Sequence, residues 1–242
     1  MSAGSSLRRW AKSRAGLLGS VVRTTSPHVV LTYDDGPDPE HTPRVLEELA
    51  RHGASATFFV LLTRTRRLAS LVQEMAAAGH EIALHGPDHR PLVEFGYAEA
   101  GRRTADAKRE LEDLVGQPVR WFRPPYGAQS LLTWRAVRAQ GLTPVLWSAS
   151  TWDWKDVAQA ERVQRSLGQA RAGSILLAHD AFAGVGDGVP EARPPDVDRG
   201  ELARLILEGY QEQGLSAVSL ETALRTSAPV LEASFSRRIS AS

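Results

Sequence analysis

The chain has 242 residues, of which 42% are hydrophobic and 24% charged, and this balance excludes a wholly disordered or collagen-like protein. It contains no cysteine, which excludes disulfides, thiolate zinc sites and cysteine nucleophiles and leaves any metal to His, Asp and Glu. The 29 Lys and Arg residues against 28 Asp and Glu residues leave a formal net charge of +1, so the overall charge predicts no nucleic-acid partner.

Both ends of the chain are expected to lie outside the folded unit. A basic segment precedes a short apolar run at residues 15–22 that two glycines interrupt, and no convincing signal-peptide cleavage site follows. No stretch approaches the ~20 apolar residues that span a bilayer. We therefore expect a flexible basic arm over residues 1–27, with a membrane-surface anchor as the less favoured interpretation, and a loose tail over 228–242. The remaining residues, 28–227, are expected to form one domain of a monomeric, cytoplasmic protein without a transmembrane segment.

The central part of the chain alternates short apolar runs with helical patterns, which is typical of parallel strands joined by crossover helices. The predicted strands are 28–33, 56–62, 81–85, 119–122, 144–148, 174–179 and 216–220. The predicted helices are 42–52, 68–78, 97–115, 131–140, 157–170 and 200–212. Thr42 is placed to cap the first helix, with Pro43 at the first helical position. The pattern predicts seven β/α units.

The placement of the polar residues favours one of the two topologies that this alternation allows. An open doubly wound sheet gathers ligands at one switch point, whereas a barrel brings the carboxyl ends of all its strands around one mouth. Chemically active side chains lie at or just beyond the ends of several different strands: Asp34, Asp35, His85, Arg123, Asp153 and His179. We therefore predict an α/β fold of the barrel type. The loop over residues 184–200 is expected to lie at the mouth.

Two adjacent carboxylates follow the first predicted strand, in the run Thr-Tyr-Asp-Asp-Gly-Pro at residues 32–37. Successive strand residues point to opposite sides, so Asp34 and Asp35 can face one site only where the chain turns. Gly36 and Pro37 supply such a turn. An ordinary surface turn is the alternative interpretation.

Two imidazoles follow the third predicted strand, in the run His-Gly-Pro-Asp-His at residues 85–89. Their spacing brings His85 and His89 close enough to chelate one divalent ion. Together with Asp35 they would form a ligand set of two histidines and one carboxylate that leaves positions open for water and substrate. Surface histidines that are paired by chance are the alternative.

Three later motifs add a cation, aromatic surface and a further imidazole. The run Arg-Pro-Pro-Tyr-Gly places Arg123 beside a rigid backbone, where it could hold Asp34 ionised and ready to take a proton from water. The run at residues 147–154, which contains three tryptophans, offers surface for a sugar face or an acyl pocket. His179 ends an apolar strand and could protonate a leaving amine. Surface turns and core packing are the structural alternatives.

Taken together, the motifs resemble one family, the polysaccharide deacetylases of carbohydrate esterase family 4. That family carries Thr-Phe-Asp-Asp-Gly-Pro, His-(Ser/Thr)-x-x-His, Arg-Pro-Pro-Tyr, Asp-x-x-Asp-Trp and Leu-x-His, and all five have counterparts here, in order, between residues 32 and 180. The resemblance covers about residues 29–220. It implies a distorted seven-unit (β/α) barrel that uses a divalent metal to remove acetyl from an N-acetylated sugar or glycan.

The resemblance also assigns roles to individual residues. The implied metal ligands are Asp35, His85 and His89. It makes Asp34 the general base, Arg123 the residue that orients this base, and His179 the acid that protonates the departing amine. The implied substrate contacts are Pro124, the backbone N–H of Tyr126 for the oxyanion, and Leu177 and Trp154 for the acetyl methyl group. Zinc is the expected metal, with cobalt, nickel or manganese also suited to these ligands.

The sequence departs from the family pattern at three positions. Tyr33 replaces a Phe, and Gly86 replaces a hydroxyl residue. Ser150 stands where the first Asp of the fourth motif falls, and the resemblance implies that this acid orients the leaving-group histidine. We therefore hypothesise that Asp153 pairs with His179. Two alternatives stay open: a catalytically impaired sugar-binding or regulatory member of the same fold, and a hydrolase of a non-sugar amide.

Overall fold

The computed structural model describes residues 18–191 and 193–235 of the chain. The strands are β1 (Ser20–Thr24), β2 (Val29–Asp34), β3 (Thr57–Leu61), β4 (Glu81–Gly86), β5 (Trp121–Phe122), β6 (Thr143–Pro144), β7 (Ala149–Ser150), β8 (Ile175–His179), β9 (Ala217–Val218) and β10 (Pro229–Glu232). The α-helices are α1 (His41–Arg51), α2 (Leu62–Thr65), α3 (Ala69–Ala77), α4 (Tyr97–Val115), α5 (Leu131–Ala139), α6 (Gln159–Gln169), α7 (Arg199–Glu212) and α8 (Leu220–Leu224). Short 3₁₀ turns lie at Leu92–Glu94, Pro125–Gly127 and Val185–Asp187.

A parallel sheet forms the centre of the fold. Its strands follow the order β6-β5-β4-β3-β2-β8-β7, and β9 also pairs with β2. Every residue of β2 and β3 is buried, as expected for apolar, β-branched strands of a parallel sheet that is covered on both faces. The sheet order ends at β6 and β7 without joining them, so the predicted barrel is confirmed in a distorted, incompletely closed form. The carboxyl ends of its strands share one face, which the chemistry-bearing residues occupy.

The gap in the barrel lies beside a segment that we predicted to be flexible. Strands β1 and β10 form an antiparallel two-stranded sheet. In addition, β1 forms bridges to Val145, just after β6, and to Ser174, just before β8. The segment therefore lies between two parts of the central sheet and is part of the fold.

The predicted domain boundaries are consequently wrong at both ends. The boundary at residue 28 excludes β1, and the boundary at residue 227 excludes β10. These two strands stabilise each other by pairing across nearly the whole length of the chain, and such pairing leaves no local pattern. The rest of the predicted arm and tail, residues 1–17 and 236–242, lies outside the described residues.

Most predicted elements occur within one or two residues of their expected positions. Helix α4 begins and ends where it was predicted, whereas the strand predicted over 144–148 is replaced by the two short strands β6 and β7. Thr42 does not cap α1, which begins one residue earlier. The Asp38 carboxylate instead accepts hydrogen bonds from the N–H groups of Glu40 and His41. Within the described residues, no helix is long and apolar enough to cross a membrane.

Candidate active site

Three predicted metal ligands converge at the carboxyl ends of β2 and β4. Asp35 directly follows β2, His85 lies within β4, and His89 follows four residues later. Asp35 Oδ1 lies 3.4 Å from His85 Nε2 and 3.2 Å from His89 Nε2. All three residues are buried, and one potential ligand atom from each lies within 4.8 Å of the others. The structure therefore brings together the ligand set that the sequence predicted.

The local backbone explains how two successive aspartates reach one site. Asp35 has a φ of 73°, which is the left-handed conformation that non-glycine residues rarely adopt. This turn interrupts the strand alternation, so Asp34 and Asp35 both contribute to the same cluster. Asp35 Oδ2 accepts a hydrogen bond of 3.1 Å from the N–H of Ala183. His85 Nδ1 lies 2.8 Å from the C=O of Arg123, which leaves its Nε2 toward Asp35.

The donor set fits a divalent metal ion. Asp35 Oδ1 is buried and has no hydrogen-bond partner in the described part of the chain. Such an unpartnered carboxylate oxygen is costly unless a cation binds it. Burial lowers the pKa of His89 to about 4, so its imidazole is neutral at physiological pH, as a metal ligand requires.

Asp34 and Arg123, which we call the Asp34 pair, form a buried ion pair beside these ligands. Arg123 Nη1 donates to Asp34 Oδ1 over 2.7 Å and to Thr32 Oγ1 over 2.8 Å, and its Nη2 donates to the C=O of Leu146. Its guanidinium also lies over the Phe59 ring, 4.1 Å from the centroid. Because Arg123 is 0% exposed and held on several sides, it fixes the direction of the Asp34 carboxylate.

A second group beside the Asp34 pair consists of His179, Asp153 and Arg199, and we call it the His179 cluster. His179 ends the neighbouring strand β8, Asp153 lies in the loop after β7, and Arg199 begins α7. Asp34 and His179 are register partners in the β2–β8 ladder. Asp153 Oδ1 lies 2.7 Å from His179 Nδ1, and Asp153 Oδ2 accepts the His179 backbone N–H over 2.7 Å. Arg199 Nη1 donates to Asp153 Oδ2 over 3.2 Å and to the C=O of His179 over 2.7 Å.

The surroundings of His179 favour its protonated form. Burial by itself would lower the pKa of His179, but the charge and hydrogen bond of Asp153 outweigh burial and raise that pKa to about 9. Asp153 is fully buried, and the imidazole of His179 and the guanidinium of Arg199 hold its pKa below the usual range despite burial. His179 is thus a proton donor at neutral pH, with Nε2 as the nitrogen that Asp153 leaves unused.

The structure answers the doubt that Ser150 raised. Ser150 lies in β7, and its N–H donates to Gln169 Oε1 over 3.2 Å. The carboxylate that contacts His179 belongs to Asp153, as we hypothesised, because the loop after β7 carries this residue back to the end of β8. The serine therefore leaves His179 with its acidic partner.

The predicted substrate contacts lie around the same centre. The Tyr126 ring lies 4.4 Å from the His89 ring, and Tyr126 is 53% exposed with a φ of 59°. The Trp154 ring lies 5.4 Å from the His179 ring. Leu177 is buried in β8, two residues before His179. The C=O of Pro124 accepts the N–H of Gly127 and so holds the turn that carries Tyr126.

The loop after β8 packs against the metal ligands. The C=O of Asp187 accepts the N–H of His89 over 2.7 Å. The Asp187 carboxylate in turn accepts hydrogen bonds from Arg64, the shorter of them 2.9 Å, and one of 2.7 Å from Thr63. The first part of the predicted functional loop is therefore a fixed support for one ligand histidine.

A further buried carboxyl lies behind the turn that carries Asp35. Asp180 Oδ2 accepts a hydrogen bond of 2.5 Å from Thr42 Oγ1, and burial raises the pKa of Asp180 to about 7. A Cβ atom on Gly36 would lie 2.1 Å from Asp180 Oδ2. This close approach explains why the Asp-Asp-Gly run needs glycine at its third position.

Sequence reasoning missed four supporting residues: Thr32, Asp180, Asp187 and Arg199. Thr32 and Asp180 stand inside motifs that we recognised, but their contacts come from other strands and helices. Arg199 precedes the predicted start of the last long helix by one residue, where an exposed arginine would be equally ordinary. Only its burial in the structure distinguishes it.

The fold and the site together define a class of protein, the (β/α) barrels with a candidate metal site at the carboxyl ends of the strands. Residues 22–145 match the family described as polysaccharide deacetylase. The chain is 34% identical over 220 residues to a chitooligosaccharide deacetylase of Azorhizobium caulinodans, which covers 90% of this chain and 95% of that protein. This chain belongs to the polysaccharide deacetylase family.

Other comparisons agree with that family membership. A peptidoglycan-N-acetylglucosamine deacetylase of Bacillus cereus is 34% identical over 158 residues, which cover 64% of this chain and 57% of that protein. A crystal structure of a peptidoglycan N-acetylglucosamine deacetylase superposes with a TM-score of 0.73 at 28% identity, covering 86% of this chain and 94% of the other. The predicted family and barrel fold are therefore confirmed.

Proposed function

We propose that this protein hydrolyses the acetamide group of N-acetylglucosamine units in a glycan such as a chitooligosaccharide or peptidoglycan. The products are acetate and a glycan that carries a free amine. The observation that carries this proposal is that three potential metal ligands converge next to a carboxylate paired with arginine, and that this carboxylate lies on the strand beside a histidine paired with aspartate. Relatives named for chitooligosaccharide and peptidoglycan substrates support the substrate class.

We propose that Asp35, His85 and His89 hold one zinc ion, because zinc suits a cysteine-free set of two imidazoles and one carboxylate. Cobalt, nickel and manganese also suit this set. When bound, the ion would act as a Lewis acid toward the acetamide carbonyl and would lower the pKa of water in the site.

In this proposal Asp34 is the general base. Its carboxylate accepts one proton of the attacking water while the water oxygen bonds to the acetamide carbon. Arg123 orients the Asp34 carboxylate, because the ion pair is buried and several hydrogen bonds hold the guanidinium in place. The backbone N–H of Tyr126 is the proposed donor to the developing oxyanion, and such a donor contributes about 3 to 4 kcal/mol in comparable sites.

His179 is the proposed general acid. Its Nε2 proton moves to the sugar nitrogen as the C–N bond breaks, and the electron pair of that bond stays on nitrogen. Asp153 stabilises the imidazolium before this transfer and fixes the ring through Nδ1. Trp154 and Leu177 are the proposed walls of the pocket for the acetyl methyl group.

The proposal is tested by measuring acetate release from a panel of N-acetylated glycans and small sugar conjugates. We expect release from oligomers of N-acetylglucosamine, loss of that release with a chelator and recovery with added zinc. Release that resists the chelator would contradict the metal assignment. Absence of release from every sugar would contradict the function and favour a non-sugar amide or a binding role.

A matched pair of variants tests the base. We expect Asp34→Asn to reduce kcat by about 10²- to 10⁴-fold, the usual contribution of a positioned proton-transfer group, with metal content unchanged. Asp38→Asn is the control, since Asp38 lies four residues later, where its carboxylate contacts the start of α1 and Arg64 and none of the three potential metal ligands. If the two variants have equal activity, Asp34 is not the general base.

A further inference from the structure

Arg199 is a buried cation that belongs to none of the five motifs. It is the first residue of α7, and the preceding Asp198 caps this helix by accepting the N–H of Glu201. Its side chain is 3% exposed, and its guanidinium contacts only one acidic side chain by salt bridge in the described residues, that of Asp153. A guanidinium with so little exposure is costly unless it is paired, so the contact with Asp153 is a specific feature of the fold.

We propose that Arg199 is a positioning residue for the acid step: it fixes the Asp153 carboxylate against His179 so that Nε2 presents its proton to the leaving amine. The inference rests on the proposed deacetylation and extends it to a residue outside the family motifs. Arg199 acts through Asp153, and it does not touch the substrate.

The geometry explains why Asp153 needs a third support. Asp153 lies in the loop between β7 and α6, and both of its other contacts in this cluster go to one residue, His179. Two bonds to the same residue allow the carboxylate and the imidazole to shift together. Arg199 belongs to a different element, α7. Its Nη1 donates both to Asp153 Oδ2 and to the C=O of His179, and so links these two acceptors.

The charges around Asp153 also support a positioning role for Arg199. One carboxylate lies between two cations, so Asp153 divides its attraction between Arg199 and the imidazolium. The attraction that keeps the proton on His179 is consequently weaker than it would be if Asp153 had no second cation beside it. A general acid works best when it can both hold and release its proton near the working pH.

The test uses two substrates that differ in their need for an acid. A sugar amine is strongly basic and leaves only with a proton, whereas 4-nitrophenolate is weakly basic and leaves without one. We would measure turnover of an N-acetylglucosamine oligomer and of 4-nitrophenyl acetate by the zinc-loaded full chain. For Arg199→Met we expect amide turnover to fall about 10- to 100-fold, part of the effect of a general acid, and ester turnover to change less than about 3-fold. Arg199→Lys should recover part of the amide turnover, with KM little changed.

The ratio of the two activities in one preparation does not depend on the folded fraction, so a destabilised variant still gives a result. Arg162→Met is the matched control, because Arg162 is also buried but donates to Gln159 and to the backbone C=O groups of Lys155 and Asp196. We expect its ratio to equal that of the wild type.

A second measurement needs no ester. If Arg199 acts through Asp153, then adding Arg199→Met to Asp153→Asn should cause no further loss of amide turnover. An unchanged ratio in Arg199→Met, equal losses on both substrates, or additive losses in the double variant would each overturn the inference. A wild-type chain that releases no acetate from any sugar would instead contradict the proposed function.

Discussion

The Asp34 pair and the His179 cluster lie beside each other because Asp34 and His179 end neighbouring strands, and each contains a buried arginine and a buried aspartate. They differ in how the charges are shared. Arg123 meets a single carboxylate and is otherwise held by a hydroxyl and carbonyl oxygens. In the His179 cluster, the Asp153 carboxylate meets both a guanidinium and an imidazole.

This difference matches the two proton transfers that we propose. A base must present its carboxylate to the attacking water, and a one-to-one ion pair with a rigidly held guanidinium fixes that orientation. An acid must hold a proton and then release it. A carboxylate partner that also pairs with a second cation stabilises the protonated acid less strongly and so allows that release. The same two residue types thus support opposite roles because the number of cations per carboxylate differs.

The largest expected effect comes from removing the cation of the Asp34 pair. Arg123→Met leaves the Asp34 carboxylate buried without its partner, so we expect a loss of about 3 to 5 kcal/mol in the free energy of unfolding, measured by urea denaturation. The double variant with Asp34→Asn should recover most of this stability but none of the activity. If the double variant is no more stable than the single one, the cost does not come from the unpaired charge.

The corresponding substitution of arginine by methionine in the His179 cluster is expected to have a smaller effect on stability. Arg199→Met leaves Asp153 with the imidazolium of His179 as its counter-charge, so we expect a smaller loss of about 1 to 3 kcal/mol. A loss as large as that of Arg123→Met would mean that the two carboxylates depend on their arginines equally.

An intermediate effect is expected in the pH dependence of kcat/KM. The raised pKa of His179, about 9, means that activity should fall as pH rises and the imidazolium loses its proton. Asp153→Asn removes the charge that raises this pKa, so the basic limb should move to lower pH by about 1 to 3 units. Asp156→Asn, three residues later in the same loop, is the control. If the basic limb of the pH profile does not move in Asp153→Asn, then Asp153 does not set the pKa of the general acid.

The smallest effect is expected at the edge of the His179 cluster. Trp154 contacts the His179 ring, and such aromatic contacts contribute about 0.5 to 1.5 kcal/mol, so Trp154→Ala should reduce kcat/KM about 2- to 10-fold. Trp152→Ala is the matched control, because Trp152 stacks with Lys155 and Arg165 instead of the site. Equal losses in both variants would argue for a general effect on the loop.

Local pattern accounted for much of this fold. Strands such as β2 and β3 are continuous apolar runs, and α4 extends over the predicted range, because burial and periodicity act over a few residues. The motif residues Asp34, Asp35, His85 and His89 were likewise visible, since short spacing at strand ends implies proximity in a parallel barrel. The structure supports the hypothesis that Asp153 pairs with His179.

The sequence by itself determined most of the central strands and helices, the residues of the candidate metal site and the family, because each is encoded in contiguous residues. Only the tertiary structure decided that β1 and β10 belong to the fold, that Asp187 supports His89 and that Arg199 contacts Asp153. These contacts join segments that are distant in the chain. Their free energy comes from burial and pairing between elements, which no local composition or spacing records.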